Sequence, residues 1–414
     1  MVVNSMSYGT YDSYKDSGVD WLGEIPSDWS LMRFKYIFKE INDRSETGAE
    51  ELLSVSQYTG VTKRANNVST EILTNAESLE GYKKVKQNQL VSNIMLAWNG
   101  SLAFSKFDGI VSPAYAVYEL NNNFDNRFFN YLVRSETYKA EYKRKSTGVV
   151  ESRLRLYTEN FYSIWCAFPE PSEQERISNF LDQKTAQIDQ AIALKQQQIE
   201  KLNEYKQIVI QNAVTKGLNP NATMKNSGVD WIGDIPEHWE VKKLKHFGVI
   251  KSGDSVINSN LTDEGLYEVY GGNGFMGFYN KFNIDKESII IGRVGALCGN
   301  VRYIKEKKWV TDNALIFKLN SKFKDYEYLA LVLEAGNLNR LNTSNAQPLI
   351  TGTKVVNFSI PIPCEKERCE ILDVIKSFST KYSQAITNYQ TQIDRLKEYK
   401  NILINQAVTG KIKI

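Results

Sequence analysis

Histidine and cysteine are scarce in this chain, with two histidines and four cysteines in 414 residues. His238 and His246 leave little capacity for general acid–base chemistry. Cys166, Cys298, Cys364 and Cys369 form no C-x-x-C pair and lie far from both histidines, which argues against a zinc site. Reduced, partly buried thiols in a cytoplasmic protein are the expectation. No apolar run approaches the ~18–20 residues of a membrane span, and the N-terminus has no charged segment followed by an apolar one, so no signal peptide is expected. There is no G-x-x-x-x-G-K-[ST] loop and no H-E-x-x-H. Tyr270-Gly-Gly-Asn-Gly274 is not a G-x-G-x-x-G, and no clear strand–helix unit frames it. Charge of one sign is also lacking: 51 Lys and Arg against 48 Asp and Glu give +3, so no strong field advertises nucleic acid.

What the chain does have is duplication. Residues 199–215, IEKLNEYKQIVIQNAVT, return as 393–409, IDRLKEYKNILINQAVT, and residues 17–29, SGVDWLGEIPSDW, return as 227–239, SGVDWIGDIPEHW. A period of about 200 residues is far beyond the ~20–50 of a solenoid. The unit copied is a whole domain with its connector. The 12% aromatic content, with 23 tyrosines, suits recognition surfaces, although half-buried sheet positions account for most such residues.

The order along the chain predicts an α+β protein: two globular α/β domains separated by two long antiparallel coiled-coil helices, with pseudo-twofold internal repetition. Residues 1–29 read as an arm and loop motif, 30–170 as the first domain, 171–215 as the first long helix and 216–239 as a linker with the second loop motif. Residues 240–363 read as the second domain and 364–414 as the second long helix. In the first domain 50–56 and 88–98 read as strands, 107–120 as two short strands around Pro113, 127–145 as one helix, and 158–171 as a strand ending at Pro169. In the second, 268–280 read as a turn cluster, 288–304 as a hairpin, 325–341 as a helix and 355–363 as the last strand. Ser172 and Glu175 have the spacing of a capping box at the start of the first long helix. Leu181, Ile188, Ile192, Ile199, Leu202, Val209 and Ala213 then fall on spacings of three and four, a coiled-coil seam interrupted by Lys195 and Lys206. Residues 172–213 would span about 63 Å as one helix. The second helix repeats the seam at an offset of 194, with Ile386 matching Ile192, but its start keeps only Glu367-Arg368 of Glu175-Arg176 and loses the serine. The Glu-Tyr-Lys triplets at 204–206 and 398–400 echo a nuclease E-x-K fragment; their place on the coiled coil makes them solvated helix flank.

These features in this order resemble the specificity subunit of type I restriction-modification enzymes. The resemblance covers nearly the whole chain and rests on both SGVDW openings, on PEPSEQERI, on the repeated helices, and on LLSVSQYTGV, SNIMLAWNGSLAF, GIVSPAY, VYGGNGFMG and GRVGALCG. It implies a subunit that binds double-stranded DNA and makes no bonds itself. Each recognition domain would read one half of a split, asymmetric site, and the helices would set the gap between the halves. Two modification subunits, adenine-N6 methyltransferases carrying S-adenosylmethionine, would dock on the frame, and two restriction subunits using ATP and Mg could join them. No cofactor is implied on this chain itself, and no membrane.

The charge distribution fits, since residues 30–170 carry 18 basic against 16 acidic residues and 240–363 carry 16 against 12, while 172–215 carry five against six. Base contacts from Arg to guanine and Asn or Gln to adenine are expected from Tyr58, Lys63, Arg64, Asn93, Asn99, Lys143, Arg144, Lys145, Ser146, Thr147, Arg153 and Arg155 in the first domain. In the second they are expected from Lys251, Asn273, Arg293, Arg302, Asn345, Gln347 and Lys354. Solvated loop polarity is the bland alternative for each, and Trp98 reads better as core. Glu204, Tyr205, Lys206, Glu398, Tyr399 and Lys400 are candidates for partner docking, with plain solvent exposure as the alternative. A coiled-coil scaffold or protein-binding adaptor is the competing function; a self-contained methyltransferase or nuclease is disfavoured by the missing motifs.

Overall fold

The computed structural model describes residues 8–64, 78–150, 153–321, 323–342 and 348–414. The chain divides into two units, residues 1–195 with 391–414 and residues 196–390. The dividing points fall inside the two long helices, so each unit holds one globular domain and a part of both helices.

In the first unit the loop motif is a hairpin of β1 (Tyr14–Asp16) and β2 (Glu24–Pro26), closed by left-handed Gly18 and Gly23. The stretch after Trp29 forms β3 (Ser30–Arg33), the single helical turn α1 (Phe34–Ile37) and β4 (Phe38–Ile41) in turn. Then come β5 (Leu53–Ser56), β6 (Gly60–Lys63), β7 (Lys83–Val85), β8 (Leu90–Asn93), β9 (Leu102–Phe104), β10 (Gly109–Val111) and β11 (Tyr115–Leu120). β4, β11, β8 and β9 form a four-stranded antiparallel sheet in that order. Residues alternate across it: Leu90, Ala116 and Tyr118 enter the main core, while Val91 and Val117 face a smaller core under the β5–β6 hairpin.

Three sequence expectations change here. Residues 127–145 are two helices, α2 (Asn126–Val133) and α3 (Glu136–Lys145), because Ser135 turns its hydroxyl and its N–H back onto the Leu132 carbonyl, and its own carbonyl accepts from the Lys139 N–H to start α3 without a side-chain cap. Residues 88–98 carry a strand only as far as Asn93. Residues 158–171 begin as a helical turn, α4 (Thr158–Tyr162), before β12 (Trp165–Phe168), which pairs with β3.

The first long helix, α5 (Pro171–Lys216), begins one residue before the expected capping serine. Pro171 takes the first helical position, where its fixed φ and missing N–H cost nothing. The Glu170 carbonyl accepts from Glu173 and Gln174 at 2.9 and 3.0 Å. Ser172 is therefore inside the helix and the capping box does not form. Left-handed Gly217 ends the helix.

The second unit repeats this plan. β13 (Met224–Asn226) and β14 (Asp234–Pro236) are the loop hairpin; β15 (Glu240–Lys243) precedes β16 (Gly248–Ser252), β17 (Tyr267–Gly271) and β18 (Gly274–Tyr279). The segment read as a turn cluster is thus a hairpin, turning at Gly272-Asn273. β19 (Ser288–Gly292) and β20 (Val301–Ile304) pair as expected, followed by β21 (Trp309–Val310), β22 (Ala314–Leu319), α6 (Tyr326–Ala335), α7 (Gly352–Val356) and β23 (Ser359–Ile362). The α6 helix stops at Gly336, short of the predicted Leu341, and the strand expected over 355–363 begins only at Ser359, its first two residues closing the helical turn α7. The sheet order β16-β22-β19-β20 reproduces β4-β11-β8-β9, and β15–β23 reproduces β3–β12. Ile289 and Ile291 fill the main core and Ile290 the small one, which explains an uninterrupted apolar run in a strand covered on both faces.

The second long helix, α8 (Glu365–Val408), starts after Cys364, whose N–H reaches the Glu367 carboxylate at 3.4 Å, half of a capping box without the serine. Within the first unit the helices run antiparallel: Asp189 binds Lys400 at 2.7 Å and Lys195 binds Gln392 at 2.6 Å. Within the second they do the same, Tyr205 packing edge-on against Phe378 and Tyr382 donating to Asn203. Among the described residues no helix is long and apolar enough to cross a membrane.

Candidate nucleic-acid interface

In the first unit the β5–β6 turn projects Tyr58, which is 84% exposed. The turn is held from below by Arg134, whose guanidinium donates to the Gln57 carbonyl at 2.8 Å and whose pKa burial lowers. Lys63 binds Glu51 at 3.2 Å over the ring of Phe107, and Arg64 continues the hairpin with its N–H on the Leu52 carbonyl. Beside this hairpin the β8–β9 loop carries Asn93 and Asn99. Asn93 is placed inside: it is 5% exposed, its Nδ2 donates to the Tyr115 hydroxyl and its Oδ1 accepts from the Met95 N–H. It shapes the loop and offers nothing to a base edge. Asn99 is half-buried and accepts from Ser101.

Trp98, half-buried, donates to the Met95 carbonyl, and the Lys143 ammonium lies 5.6 Å from its ring centroid, so the loop and the end of α3 are joined. The following segment returns to the same loop, Leu156 N–H bonding the Ile94 carbonyl. A backbone bridge between Thr147 and Arg155 folds it, and Ser146 is spent on the Tyr142 carbonyl. Arg144 forks onto buried Glu141 at 2.6 and 2.7 Å, a hydrogen bond that raises the guanidinium pKa and leaves it half-committed. Lys143 and Arg153 are exposed, and Lys145 and Arg155 are half-buried. Asn99, Lys143, Thr147, Arg153 and Arg155 therefore share one edge of the domain.

The second unit builds its edge on glycines. A side chain on Gly272 would meet the Asn313 and Val294 carbonyls at 2.8 and 3.0 Å, and one on Gly292 would meet the Gly272 carbonyl at 2.5 Å. This close approach sets the β17–β18 turn against the β19–β20 loop. It brings exposed Asn273 beside Gly295 and Arg293 beside Ser252, to which it donates at 3.2 Å. Arg302 lies over the ring of Tyr270 at 5.8 Å and crowds Gly274, where an added Cβ would be 2.9 Å from its guanidinium. Burial, then the hydrogen bond to Glu268, raises the Tyr270 hydroxyl. Lys251 is exposed on β16, next to Ser252. Lys354 stands apart, donating from α7 to the Leu341 carbonyl. Asn345 and Gln347 lie outside the described residues. Sequence reading missed Phe275 and Met276, exposed at 53% and 42% on this hairpin; the FMGF alternation was the available signal.

The docking candidates on the helices divide. Glu204 and Glu398 are exposed. Tyr205 packs on Phe378, Tyr399 meets the Tyr8 hydroxyl at 3.4 Å, Lys206 lies over Tyr382 and Lys400 binds Asp189. The tyrosine and lysine of each triplet are thus engaged within their own unit. Among the described residues no cluster of three or more His, Cys, Asp or Glu is placed to hold a metal ion.

Residues 236–395 match the family model of the type I restriction modification DNA specificity domain. The chain is 23% identical to the type I restriction enzyme MjaVIII specificity subunit of Methanocaldococcus jannaschii, covering 94% of each chain. It is 27% identical to the EcoprrI specificity subunit of Escherichia coli over 38% of each. Its fold matches a chain from a solved structure of type I R-M complex assembly and conformational transition, with a TM-score of 0.67 at 13% identity, over 93% of this chain and 98% of that one. The duplicated frame, the repeated sheet order and these likenesses point the same way: residues 236–395 are similar to the type I restriction modification DNA specificity domain, and nearly the whole chain is similar to a type I restriction enzyme specificity subunit.

Proposed function

We propose that each unit reads one half of a bipartite, asymmetric DNA site and that this chain supplies recognition while partner subunits supply the chemistry. The observation that carries the reading is the pairing of one sheet order with two different edges. The first presents Tyr58, Asn99, Lys143, Arg153 and Arg155; the second presents Asn273, Arg293, Arg302 and Lys251. A shared scaffold with unlike polar side chains at the same edge suits reading two unlike half-sites. The weak net positive charge of the domains predicts modest affinity for the lone chain and a need for partners.

The partners in this reading are two modification subunits, which bring S-adenosylmethionine and methylate adenine N6 after flipping the base from the stack. Restriction subunits with ATP and Mg join where the system also cleaves. The antiparallel helices act as the ruler between half-sites. The test is single-molecule sequencing of DNA from cells expressing this chain with its modification subunit, scored for N6-methyladenine. A split motif that vanishes on deletion of the chain is the expected result. An active modification subunit with no motif would favour a scaffold that binds proteins.

A further inference from the structure

The β17–β18 hairpin differs from the β5–β6 hairpin, which holds the same place in the element order of the first unit. β5 and β6 pair in even register, and their turn projects the hydroxyl-bearing Tyr58. In β17–β18 the register shifts: Val269 stands opposite Gly277 but Tyr270 opposite Phe275, so Met276 is an extra residue, a bulge. Regular alternation would send one of two neighbouring side chains to each face. The bulge instead leaves Phe275 and Met276 both exposed. Glycines make room for it. Gly274 and Gly277 have φ of 119° and 140°, and a Cβ on Gly271 would stand 2.4 Å from the Met276 Sδ.

The pair is braced from behind. The Phe275 ring meets Tyr270 at 6.2 Å and Phe278 edge-on at 5.3 Å. Tyr270 in turn donates to the Glu268 carboxylate at 3.0 Å, which Lys308 also binds at 2.8 Å. Arg302 lies over Tyr270 as well, and Asn273 is exposed at the turn beside Gly295. The two apolar side chains are thus set among groups fit for base edges, an amide that suits adenine and a guanidinium that suits guanine. A phenyl ring and a thioether held open to water are stabilised only when an apolar group covers them.

We infer that Phe275 and Met276 read thymine, packing against its C5-methyl group in the major groove; this rests on the function proposed above. The methyl is the one apolar group that a base pair presents in that groove, and it helps tell A·T from T·A and from both G·C orientations. A two-stranded ribbon is of a size to enter the groove. Insertion between base steps is the poorer fit. A wedge must pass between the bases, whereas part of the Phe275 ring is committed to Tyr270 and Phe278. The β5–β6 hairpin has no such bulge, so the thymine contact belongs to one half-site, as two unlike half-sites require.

The test uses the full chain in complex with its modification subunit, and duplexes carrying the methylated motif. Each thymine is replaced in turn by deoxyuridine, which removes one methyl and leaves base pairing intact. Wild type is expected to bind about fourfold more weakly when one thymine of one half-site is replaced, the loss of one buried methyl. The double variant Phe275→Ala with Met276→Ala should bind the thymine and deoxyuridine duplexes alike at that position and keep its discrimination in the other half-site. Phe275→Leu, which keeps an apolar surface, should retain the difference. No sensitive thymine with wild type, a result that needs no variant, would overturn the inference and leave the recognition function intact. Sensitivity that survives in the double variant would overturn it as well. Brightening of 2-aminopurine placed in that half-site, away from the methylated adenine, with wild type only and without methyl dependence, would reassign the pair to a wedge. A double variant that no longer holds the modification subunit would reassign it to a protein interface. A wild-type complex that prefers no sequence would overturn the underlying function and the thymine contact together.

Discussion

Trp239 donates its indole N–H to the carboxylate of Glu367 at 3.2 Å, and His238 reaches the same carboxylate at 2.9 Å. Glu367 is the third residue of α8, and the third residue of α5, Glu173, accepts from the Tyr11 hydroxyl at 2.6 Å beside Trp29. The two units therefore tie the start of a long helix to the loop motif through the same helical position with different donors. Gly217, which follows α5, packs on Trp239, and Gly410, which follows α8, packs on Pro26 and Trp29. Each buried tryptophan locks one helix start and one helix end.

Removing the acceptor should expose this lock. Glu367→Ala leaves the Trp239 N–H buried without a partner and is expected to cost about 1–3 kcal/mol. Urea denaturation would show it as a lower midpoint. Glu365→Ala, on the exposed face of the same turn, should change the midpoint far less.

Acid should have the same target. Partial burial raises the Glu367 carboxyl, but hydrogen bonds from His238, Trp239 and the Cys364 N–H, with the His238 charge, outweigh it and hold the carboxyl below its ordinary value. A depressed folded-state pKa stabilises fully above the unfolded value of about 4.3, and this contribution disappears as pH falls through the lower folded value. Melting curves from pH 6 down to about 3 should show wild type losing more stability than Glu367→Ala; equal losses would remove Glu367 from the account.

The glycines that end the helices give a graded pair. Both are left-handed, where alanine costs roughly 1–2 kcal/mol. A Cβ on Gly410 would also meet Pro26 Cδ at 2.5 Å, against 3.1 Å from Gly217 to the Trp239 ring. Gly410→Ala should therefore destabilise more than Gly217→Ala in parallel urea titrations.

Arg302 and Lys251 separate specificity from affinity. Arg302→Ala should cost about 1–3 kcal/mol in binding to the methylated site and relax one position of one half-site, whereas Lys251→Ala, acting on phosphate, should weaken all sequences alike and lower the salt slope by about one. Methylation motifs and salt-dependent binding of the assembled complex distinguish the two.

The ruler is tested by length. Deleting seven residues within 185–206, with a matched heptad from α8, shortens the pair by about 10 Å, or about three base pairs at 3.4 Å each. The gap in the methylation motif should shrink accordingly. An unchanged gap would leave the helices without a measuring role.

The chain by itself determined its frame. Duplication of SGVDW and of the EYK helices is readable because these segments meet the same neighbours in both units, a tryptophan pocket and an antiparallel partner, and so keep the same residues. The apolar periodicity of α5 and α8 belongs to the same class of local signal. Only tertiary structure decided that the two globular domains share a sheet order, because a sheet covered on both faces needs apolar residues in register and not the same residues. It also decided between two registrations the sequence offers for the helix starts. Sequence pairs Glu367 with Glu175, yet packing against the loop motif pairs it with Glu173, at the offset of 194 that relates Ile386 to Ile192. It placed Asn93 indoors and engaged Arg144, Tyr399 and Lys400 within the chain. A polar residue in a loop looks the same in sequence whether its hydrogen bonds go inward or out, and only the surrounding fold settles which.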